Sequence, residues 1–328
     1  MSYGYIKEEF EKLFSHQMDD ATMKSFLESM RLDASTSVAS IAAAAEVMRK
    51  HAIALPIAGE LQQKAIDIVG TGGDKIGSFN ISSTTSILAA ACGATVAKHG
   101  NRSITSKSGS ADVLEALGMK LSLSIEQNAK LLEEAGWCFV FAQNHHPAMK
   151  FIMPVRKLIP EKTVFNVLGP LTNPAGVQKY MLGVFDKAFT TKMAEALKMN
   201  GATSALVVSS KEGMDEIGIS DITYASRLKD GKIEEFEIDP TAYGIKKAPL
   251  EAIVGGDAKV NANIMMQIFN STATQAQTDI VLINTAASLM VDGLARDLQD
   301  GLEMGREALA NTRAKKKLNQ IVQISNKL

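Results

Sequence analysis

The stretch DIVGTGGDKIGSFNISST, from Asp67 to Thr84, decides how the rest of the chain is interpreted. A short apolar run ends at Val69, a turn with four glycines and an aspartate follows from Gly70, and small polar residues open the next segment. Glycines leave backbone N–H groups accessible, and a helix N-terminus adds partial positive charge. The pattern favours a strand, an anion-binding turn and a helix. It is neither a Walker loop nor a G-x-G-x-x-G fingerprint, so by itself it fits a merely tight strand–helix turn equally well.

A second polar loop, KHGNRSITSKSGSADVLEALG, follows the next predicted strand and begins at Lys98. It places three cations, Lys98, Arg102 and Lys107, among many hydroxyl groups. A lone lysine is usually a solvated surface charge. Ligands of open α/β sheets bind at the carboxyl ends of the strands, where both loops are expected to lie. The two loops together favour a ligand with several phosphate groups.

Strands and helices alternate around these loops, which predicts an α/β fold with a mainly parallel sheet flanked by helices. AIDIV, ATVAKHG, WCFVFA, YMLGVF and SALVVSS have the pattern of buried strands. Residues 1–64 show only helical periodicity and are expected to form a small all-helical domain. The proline- and glycine-rich segment 151–175 is expected to pack on that domain as a hinge, and residues 65–328 to form the large α/β domain.

Composition excludes several classes of protein. The chain has 328 residues, of which 46% are hydrophobic, and a formal net charge of −1. No overall field therefore attracts nucleic acid or an anionic membrane. The two cysteines, Cys92 and Cys138, have no metal-ligand spacing and indicate small core residues in a reducing compartment. The amphipathic start is no signal peptide and the apolar runs are too short to span a bilayer, so a cytoplasmic location is expected.

The order of several motifs resembles the anthranilate phosphoribosyltransferase family of tryptophan biosynthesis. The motifs are VGTGGD, FNIS, VAKHGNRS, SKSGSADVLEALG, HPAMKFIMPVRK, FNVLGPLTNPAG and the pair Asp215–Glu216. The resemblance covers nearly the whole chain from about Ile66 onward. It implies the reaction of anthranilate with phosphoribosyl diphosphate (PRPP), which gives N-(5-phosphoribosyl)anthranilate and diphosphate. It also implies Mg²⁺, an active site at the hinge, and a homodimer formed through the helical domain.

The resemblance also implies roles for individual residues. The first polar loop would wrap PRPP through Gly70, Gly73 and Asp74, followed by Ser78, Asn80, Ile81, Ser82 and Ser83. The second loop and the helix after it would hold the phosphates through Lys98, His99, Gly100, Asn101, Arg102, Ser103, Ile104, Thr105, Ser106 and Ser110. Magnesium would be bound by Ser82, Asp215 and Glu216. Anthranilate would be contacted by Arg156 and Asn101.

Elementary chemistry agrees with these roles and leaves alternatives open. Adjacent carboxylates suit Mg²⁺, although without the resemblance Asp215 and Glu216 more often form an exposed acidic turn. A planar guanidinium matches a carboxylate, although Arg156 also fits a surface ion pair. His99 is interpreted as shaping the anthranilate pocket. No general base is assigned, because the aromatic amine has an available lone pair.

The chain departs from the family pattern at Lys75, where glycine is usual, and at Pro160 and Lys162, where the family often has glycine and arginine. The changes at Pro160 and Lys162 affect the expected detail of the hinge, and Lys75 either adds a cation near the phosphates or points outward. Two other functions remain as alternatives: a pyrimidine nucleoside phosphorylase of the same architecture, and a relative that binds nucleic acid without catalysis. The second would require a basic face, yet 35 basic residues are balanced by 36 acidic ones.

Overall fold

The computed structural model describes residues 2–103 and 107–328. In these ranges the chain forms seven strands: β1 (Ile66–Gly70), β2 (Val96–Gly100), β3 (Trp137–Phe141), β4 (Lys179–Gly183), β5 (Ser204–Ser210), β6 (Thr223–Lys229) and β7 (Lys232–Ile238). The helices are α1 (Tyr3–Phe14), α2 (Asp20–Ser29), α3 (Val38–Lys50), α4 (Gly59–Lys64), α5 (Ile81–Ala91), α6 (Ser110–Ala116), α7 (Ile125–Ala135), α8 (Ala142–His145), α9 (Met149–Arg156), α10 (Phe165–Leu168), α11 (Thr190–Met199), α12 (Ala258–Phe269), α13 (Gln275–Asp292), α14 (Leu298–Ala310) and α15 (Arg313–Lys327).

The first four helices precede every strand, as the helical periodicity predicts. Their packing is centred on Phe10, which is fully buried on α1. Its ring lies 5.2 Å from that of Phe26 on α2 and 5.8 Å from that of Phe165 on α10. Phe165 belongs to the segment 151–175, so that segment contributes to the core of the helical part. This contact supports our proposal that residues 1–64 and the hinge segment form one small domain.

The sheet has the order β3-β2-β1-β4-β5-β6-β7. The first five of these strands pair in parallel, which confirms the expected mainly parallel sheet. Strands β6 and β7 form an antiparallel hairpin on β5 that the sequence analysis did not predict. The chain leaves β1 toward β2 and β3 on one side and returns to β4 on the other. The crevice at the carboxyl ends of β1 and β4 is therefore a topological switch point, where ligands of such sheets bind.

Helices cover the sheet, and strands β1 to β5 are almost wholly buried. Helix α13, whose middle is buried almost without interruption, packs against β4, β5 and α5. No helix in the described ranges combines the length and apolarity needed to cross a bilayer. The sheet and its helices thus hold the carboxyl ends of β1, β2 and β4 on a rigid support.

Candidate active site

Asp215 lies across the ends of β1 and β4. Gly70 and Gly183, the last residues of these strands, are paired in register. A Cβ on Gly70 would lie 2.9 Å from Cγ of Asp215 and closer still to Oδ2, and a Cβ on Gly183 would overlap the Asp215 backbone. The space that these two glycines leave open is therefore filled by Asp215 itself. The sequence explained Gly70 by the approach of a ligand, and the structure adds this second reason.

The glycine loop, residues 70–77, is tied to the same aspartate. The backbone N–H of Gly72 donates to Oδ2 of Asp215 at 2.7 Å. Gly72 and Gly73 have φ values of +68° and +76°, which glycine adopts without steric cost. Lys75 also has a positive φ, +64°, which residues other than glycine adopt less often. Asp74 accepts from the backbone N–H of Ile76 at 3.1 Å, which closes the turn.

The carboxylates of Asp74, Asp215 and Glu216 act on one another electrostatically. Burial, followed by the charge of Asp74, raises the pKa of Asp215 to about 7. Burial and the charge of Asp215 raise the pKa of Glu216 well above its usual value. Such shifts mean that the carboxylates repel each other in a poorly solvated position. A cation bound here would relieve that repulsion.

Lys98 supplies one such cation from β2. Its side chain is 1% exposed, and Nζ donates to the carbonyl of Ile68 at 2.6 Å and to Oγ of Ser82 at 3.2 Å. Burial lowers the pKa of Lys98, whereas the charges of Asp67, Glu216 and Asp215 raise it. The Lys98 ammonium therefore lies below the start of α5, within the field of the acidic pair.

Asp67 is a functional candidate that the sequence analysis did not single out. It is fully buried on β1, and Oδ1 accepts from the backbone N–H of His99 at 3.0 Å. Burial raises its pKa to about 7, and the nearby Lys98 charge counteracts that shift. The polar residue within the apolar run AIDIV was the only available signal. Asp67 thus links β1 to the end of β2 that carries the second polar loop.

The start of α5 is fixed by Asn80. Its Oδ1 accepts from Nδ2 of Asn261 at 2.8 Å and from Oγ of Ser108 at 3.3 Å, so three segments meet there. Ser82 is partly exposed, whereas the side chains of Ile81 and Ser83 are buried. Ile81 and Ser83 can therefore offer a ligand only their backbone groups. Ser78 lies just before, in a β-bridge with Val254.

The second polar loop is anchored to α6. Arg102 makes two hydrogen bonds of 2.6 Å to Glu115 and one of 3.1 Å to Asp112, whose carboxylate also accepts from the backbone N–H of Ser103. Its charge is therefore balanced within the protein, and its evident role in this structure is to fix the loop. Gly100 is packed against Phe139, where a Cβ would lie 2.7 Å from Cε2.

The remaining members of that loop are placed as follows. Asn101 is exposed, and its Oδ1 accepts from the backbone N–H of Arg102 at 2.8 Å and from Nε2 of Gln143 at 3.1 Å. Ser110 is the first residue of α6. The expectations for Ile104, Thr105 and Ser106 fall outside the described residues. Within the described part, the loop directly follows β2, the strand that carries Lys98.

Arg156 ends α9 and is half-buried. Its guanidinium lies 5.3 Å above the ring of Phe165, and Nη1 lies 3.8 Å from Sδ of Met153. Burial lowers its pKa, and no carboxylate in the described ranges forms an ion pair with it. The surface ion pair considered from sequence is therefore absent from this part of the chain. A flat, partly desolvated guanidinium of this kind suits a planar carboxylate ligand.

The histidines beside the hinge are neutral structural groups. Burial lowers the pKa of His99 to about 3 and that of His146 to about 4. Nδ1 of His99 lies 3.0 Å from the carbonyl of Gly169, and its ring centroid lies 5.4 Å from that of His146. His99 therefore contributes shape and hydrogen bonds, and no positive charge, at neutral pH.

The donor set suits magnesium that is shared with a substrate. In the described ranges no group of three histidine, cysteine or acidic side chains could hold a metal ion alone. Asp215 and Glu216 supply the acidic pair, and Ser82 adds a hydroxyl close by. Mg²⁺ is commonly bound through one or two carboxylates and the phosphates of a substrate. The residues present therefore fit an ion that binds together with a phosphorylated ligand.

Comparison with known proteins identifies the family. The model of the glycosyl transferase family a/b domain matches residues 62–315. The anthranilate phosphoribosyltransferase of Methanobrevibacter smithii is 40% identical over 325 residues, which cover 99% of this chain and 94% of that protein. The chain belongs to the anthranilate phosphoribosyltransferase family.

Solved structures of this family agree with the fold. The anthranilate phosphoribosyltransferase of Thermus thermophilus superposes with a TM-score of 0.92 at 36% identity, covering 99% of this chain and 96% of that one. The enzyme of Saccharomyces cerevisiae, determined in complex with PRPP and Mg, superposes with a TM-score of 0.90 at 25% identity, covering 100% and 94%. The expected family and the expected α/β fold with its helical part are thereby confirmed.

Proposed function

We propose that this protein transfers the 5-phosphoribosyl group of PRPP to the amine of anthranilate, giving N-(5-phosphoribosyl)anthranilate and diphosphate. This is the second step of tryptophan biosynthesis from chorismate. The observation that carries the proposal is the position of Asp215 across the ends of β1 and β4, opposite the buried Lys98. Acidic and basic groups thus lie together at the switch point of the sheet, where a charged ligand is expected.

PRPP would bind over the glycine loop and the start of α5. Gly73 and Asp74 offer backbone N–H groups, Ser82 offers a hydroxyl, and Lys98 holds an ammonium group under them. Hydrogen bonds to Ile68 and Ser82 hold the Lys98 ammonium in place, so it would meet the charge of departing diphosphate with little reorganisation. The yeast relative in complex with PRPP and Mg supports this choice of ligand.

Magnesium would be held by Asp215 and Glu216, with Ser82 as a further donor. Bound there, the ion would neutralise charge on the diphosphate as it leaves the anomeric carbon. Burial and the neighbouring carboxylates raise the pKa values of both groups, which means that their charged forms are destabilised. A cation bound there would stabilise the charged forms. The protein's own contribution is to orient these oxygens and to keep Lys98 within the same field.

Anthranilate would bind at the hinge. Arg156 would face its carboxylate, while Asn101 and the neutral His99 would line the pocket. Positive charge grows on the ribose as diphosphate leaves, and the amine lone pair can attack without prior deprotonation. Positioning and electrostatics would therefore provide most of the rate enhancement, and we assign no general base.

We further propose that two chains associate through the helical domain. Tyr5 and Ile53 are large apolar side chains that are 49% and 46% exposed in this region. Sedimentation of the protein, which should give twice the mass of one chain, tests this proposal.

Both Cys92 and Cys138 are free thiols, in keeping with the reducing cytoplasm that we expect for this reaction.

The direct test of the function follows anthranilate fluorescence in the presence of PRPP and MgCl₂. Fluorescence should fall only when both are present, and a chelator should stop the reaction. Phosphorolysis of a pyrimidine nucleoside in its place would instead favour a nucleoside phosphorylase. Salt-sensitive binding to DNA without transferase activity would favour a nucleic-acid-binding relative.

A further inference from the structure

Asn261, near the start of α12, is a buried polar residue to which the proposed mechanism gives no role. It is only 2% exposed. Its Oδ1 accepts from the backbone N–H of Gly256 at 2.8 Å, and its Nδ2 donates to Oδ1 of Asn80 at 2.8 Å. The Asn261 amide therefore connects the loop before α12 to the residue that precedes α5.

The loop before α12 is paired with the end of the glycine loop and the residues that follow it. The N–H of Gly255 donates to the carbonyl of Gly77 at 2.9 Å, and the N–H of Phe79 donates to the carbonyl of Ile253 at 3.1 Å. A Cβ on Gly255 would lie 2.6 Å from Oδ1 of Asn261 and 2.6 Å from Cα of Phe79. The absence of a side chain at Gly255 therefore allows the Asn261 amide to pack directly against this part of the site.

The direction of these hydrogen bonds is set at both ends. A backbone N–H can only donate, so the bond from Gly256 requires that Asn261 turn its oxygen toward that residue and its NH₂ group toward Asn80. At the other end, the carbonyl of Ser108 can only accept, and Nδ2 of Asn80 donates to it at 3.3 Å. Both conditions require the same orientation of the Asn80 amide, with Oδ1 toward Asn261.

In this orientation Asn80 offers a ligand a hydrogen-bond donor. Its Oδ1 accepts from Asn261 and from Oγ of Ser108, which uses both lone pairs of that oxygen. Its Nδ2 carries two hydrogens, of which the bond to Ser108 uses one. In the part of the chain that the structure describes, the second hydrogen has no acceptor. Asn80 is only partly buried, so a ligand can approach this hydrogen.

We propose that Asn261 is a positioning residue that keeps the Asn80 amide turned so that Nδ2 donates to an oxygen of PRPP. The proposal rests on the proposed function, because it concerns the same binding site. The phosphate and ribose oxygens of PRPP accept hydrogen bonds, whereas Oδ1 of Asn80 turned toward them would bring two acceptors together. The hydrogen bond from Asn261 excludes that second orientation before the ligand arrives.

Exchange of a single group separates this role from simple packing. Asn261→Asp has nearly the same shape and keeps an acceptor for the N–H of Gly256, but it presents an oxygen to Asn80 in place of NH₂. The Asn80 amide would have to rotate in order to donate to that oxygen, and its own Oδ1 would then face the ligand. Asn261→Leu changes the shape, removes both hydrogen bonds and leaves either orientation of Asn80 available.

Steady-state kinetics distinguishes the two variants. Asn261→Asp should raise the KM for PRPP at least about tenfold, the loss expected for a hydrogen bond to a charged group. Asn261→Leu should raise it only about twofold, because about half of the Asn80 amides would still present Nδ2. The KM for anthranilate should stay within about twofold in both, since only PRPP loses a contact. Calorimetry of PRPP binding with MgCl₂ and without anthranilate should give the same order of effects.

A double-mutant cycle with Asn80→Ala shows whether Asn261 acts through Asn80. Once the Asn80 amide is removed, neither Asn261→Asp nor Asn261→Leu should raise the KM for PRPP further. General damage to the site would instead add to the effect of Asn80→Ala. Because Asn261→Leu introduces no buried charge, it completes the cycle even if Asn261→Asp fails to fold.

The matched control is Asn200→Asp, which makes the same exchange at the end of α11, just before the amino end of β5. Nδ2 of Asn200 donates to the carbonyl of Ala42 at 3.2 Å, away from the carboxyl ends of the strands. Its KM for PRPP should equal that of the unmodified protein.

Two results would overturn the positioning role. One is a KM for PRPP in the Asn261 variants equal to that of Asn200→Asp, and the other is a full additional loss when they are combined with Asn80→Ala. Either result, obtained with transfer to anthranilate intact, would leave the proposed function standing. PRPP binding that depends on Asn261 in the expected order, without any transfer to anthranilate, would support the positioning role and overturn the proposed function.

Discussion

Gly70→Ala tests whether Asp215 must lie across the ends of β1 and β4. In the structure a Cβ on Gly70 would lie 2.9 Å from Cγ of Asp215 and closer still to its Oδ2. Since ordinary contacts begin near 3.4 Å, the carboxylate would have to retreat by about 1 Å. The retreat would break the 2.7 Å hydrogen bond from the N–H of Gly72. The added methyl group therefore acts on the proposed magnesium ligand directly.

The expected loss of activity is much larger than the loss of stability. A displacement of about 1 Å in an active site can reduce the rate about 100-fold. Overpacking of this kind costs about 1–3 kcal/mol, and the backbone conformation of Gly70 itself needs no positive φ. We expect kcat to fall about 100-fold and the Mg²⁺ concentration for half-maximal rate to rise, while the protein remains folded.

The assay is anthranilate consumption at several MgCl₂ concentrations, combined with urea unfolding. Gly59→Ala is the matched control, because a Cβ there meets no atom within 4 Å. It should keep both the rate and the metal dependence. If Gly70→Ala retained the rate and metal dependence of the control, the position of Asp215 across the ends of β1 and β4 would not matter for magnesium binding.

Three further predictions concern the other groups of the site. Arg156→Ala should raise the KM for anthranilate at least about tenfold with little change for PRPP, and an equal loss for both substrates would count against its role. Asp215→Asn combined with Glu216→Gln should abolish both the rate and its response to MgCl₂, whereas metal-dependent activity in that variant would remove the pair from the site. His99 has a folded pKa of about 3, below the unfolded value, so the unfolded chain binds more protons and stability falls as pH drops from about 6.5. At pH 5 this contributes a loss of about 2 kcal/mol, and chemical unfolding of His99→Gln should show a correspondingly flatter pH dependence.

Local patterns in the sequence determined most of the secondary structure. Ser124 caps α7, and Gly136 ends it in a left-handed conformation, as their positions in the sequence indicate. The apolar run before Gly70 forms β1, and the polar row after it opens α5. These features depend on contacts within a few residues, so their physical causes can be found in a short stretch of chain.

The hairpin β6–β7 cannot be recognised from such local patterns. Strand β7 reads KIEEFEI and is largely exposed, so it has little of the apolar signal of the buried strands. Its place is set by pairing with β6, residue by residue from Thr223↔Ile238 to Lys229↔Lys232. Such a strand is stabilised by its neighbour more than by its own composition.

The sequence by itself determined the family, the glycine loop and the residue types that its chemistry needs. Only the tertiary structure decided that Asp215 fills the space left by Gly70 and Gly183, that Asp67 supports β2, and that Lys162 reaches Phe185. These contacts join residues far apart in the chain, and no local periodicity records them. The charges of the buried groups were decided in the same way, because a pKa depends on burial and on neighbours that only the folded chain brings together.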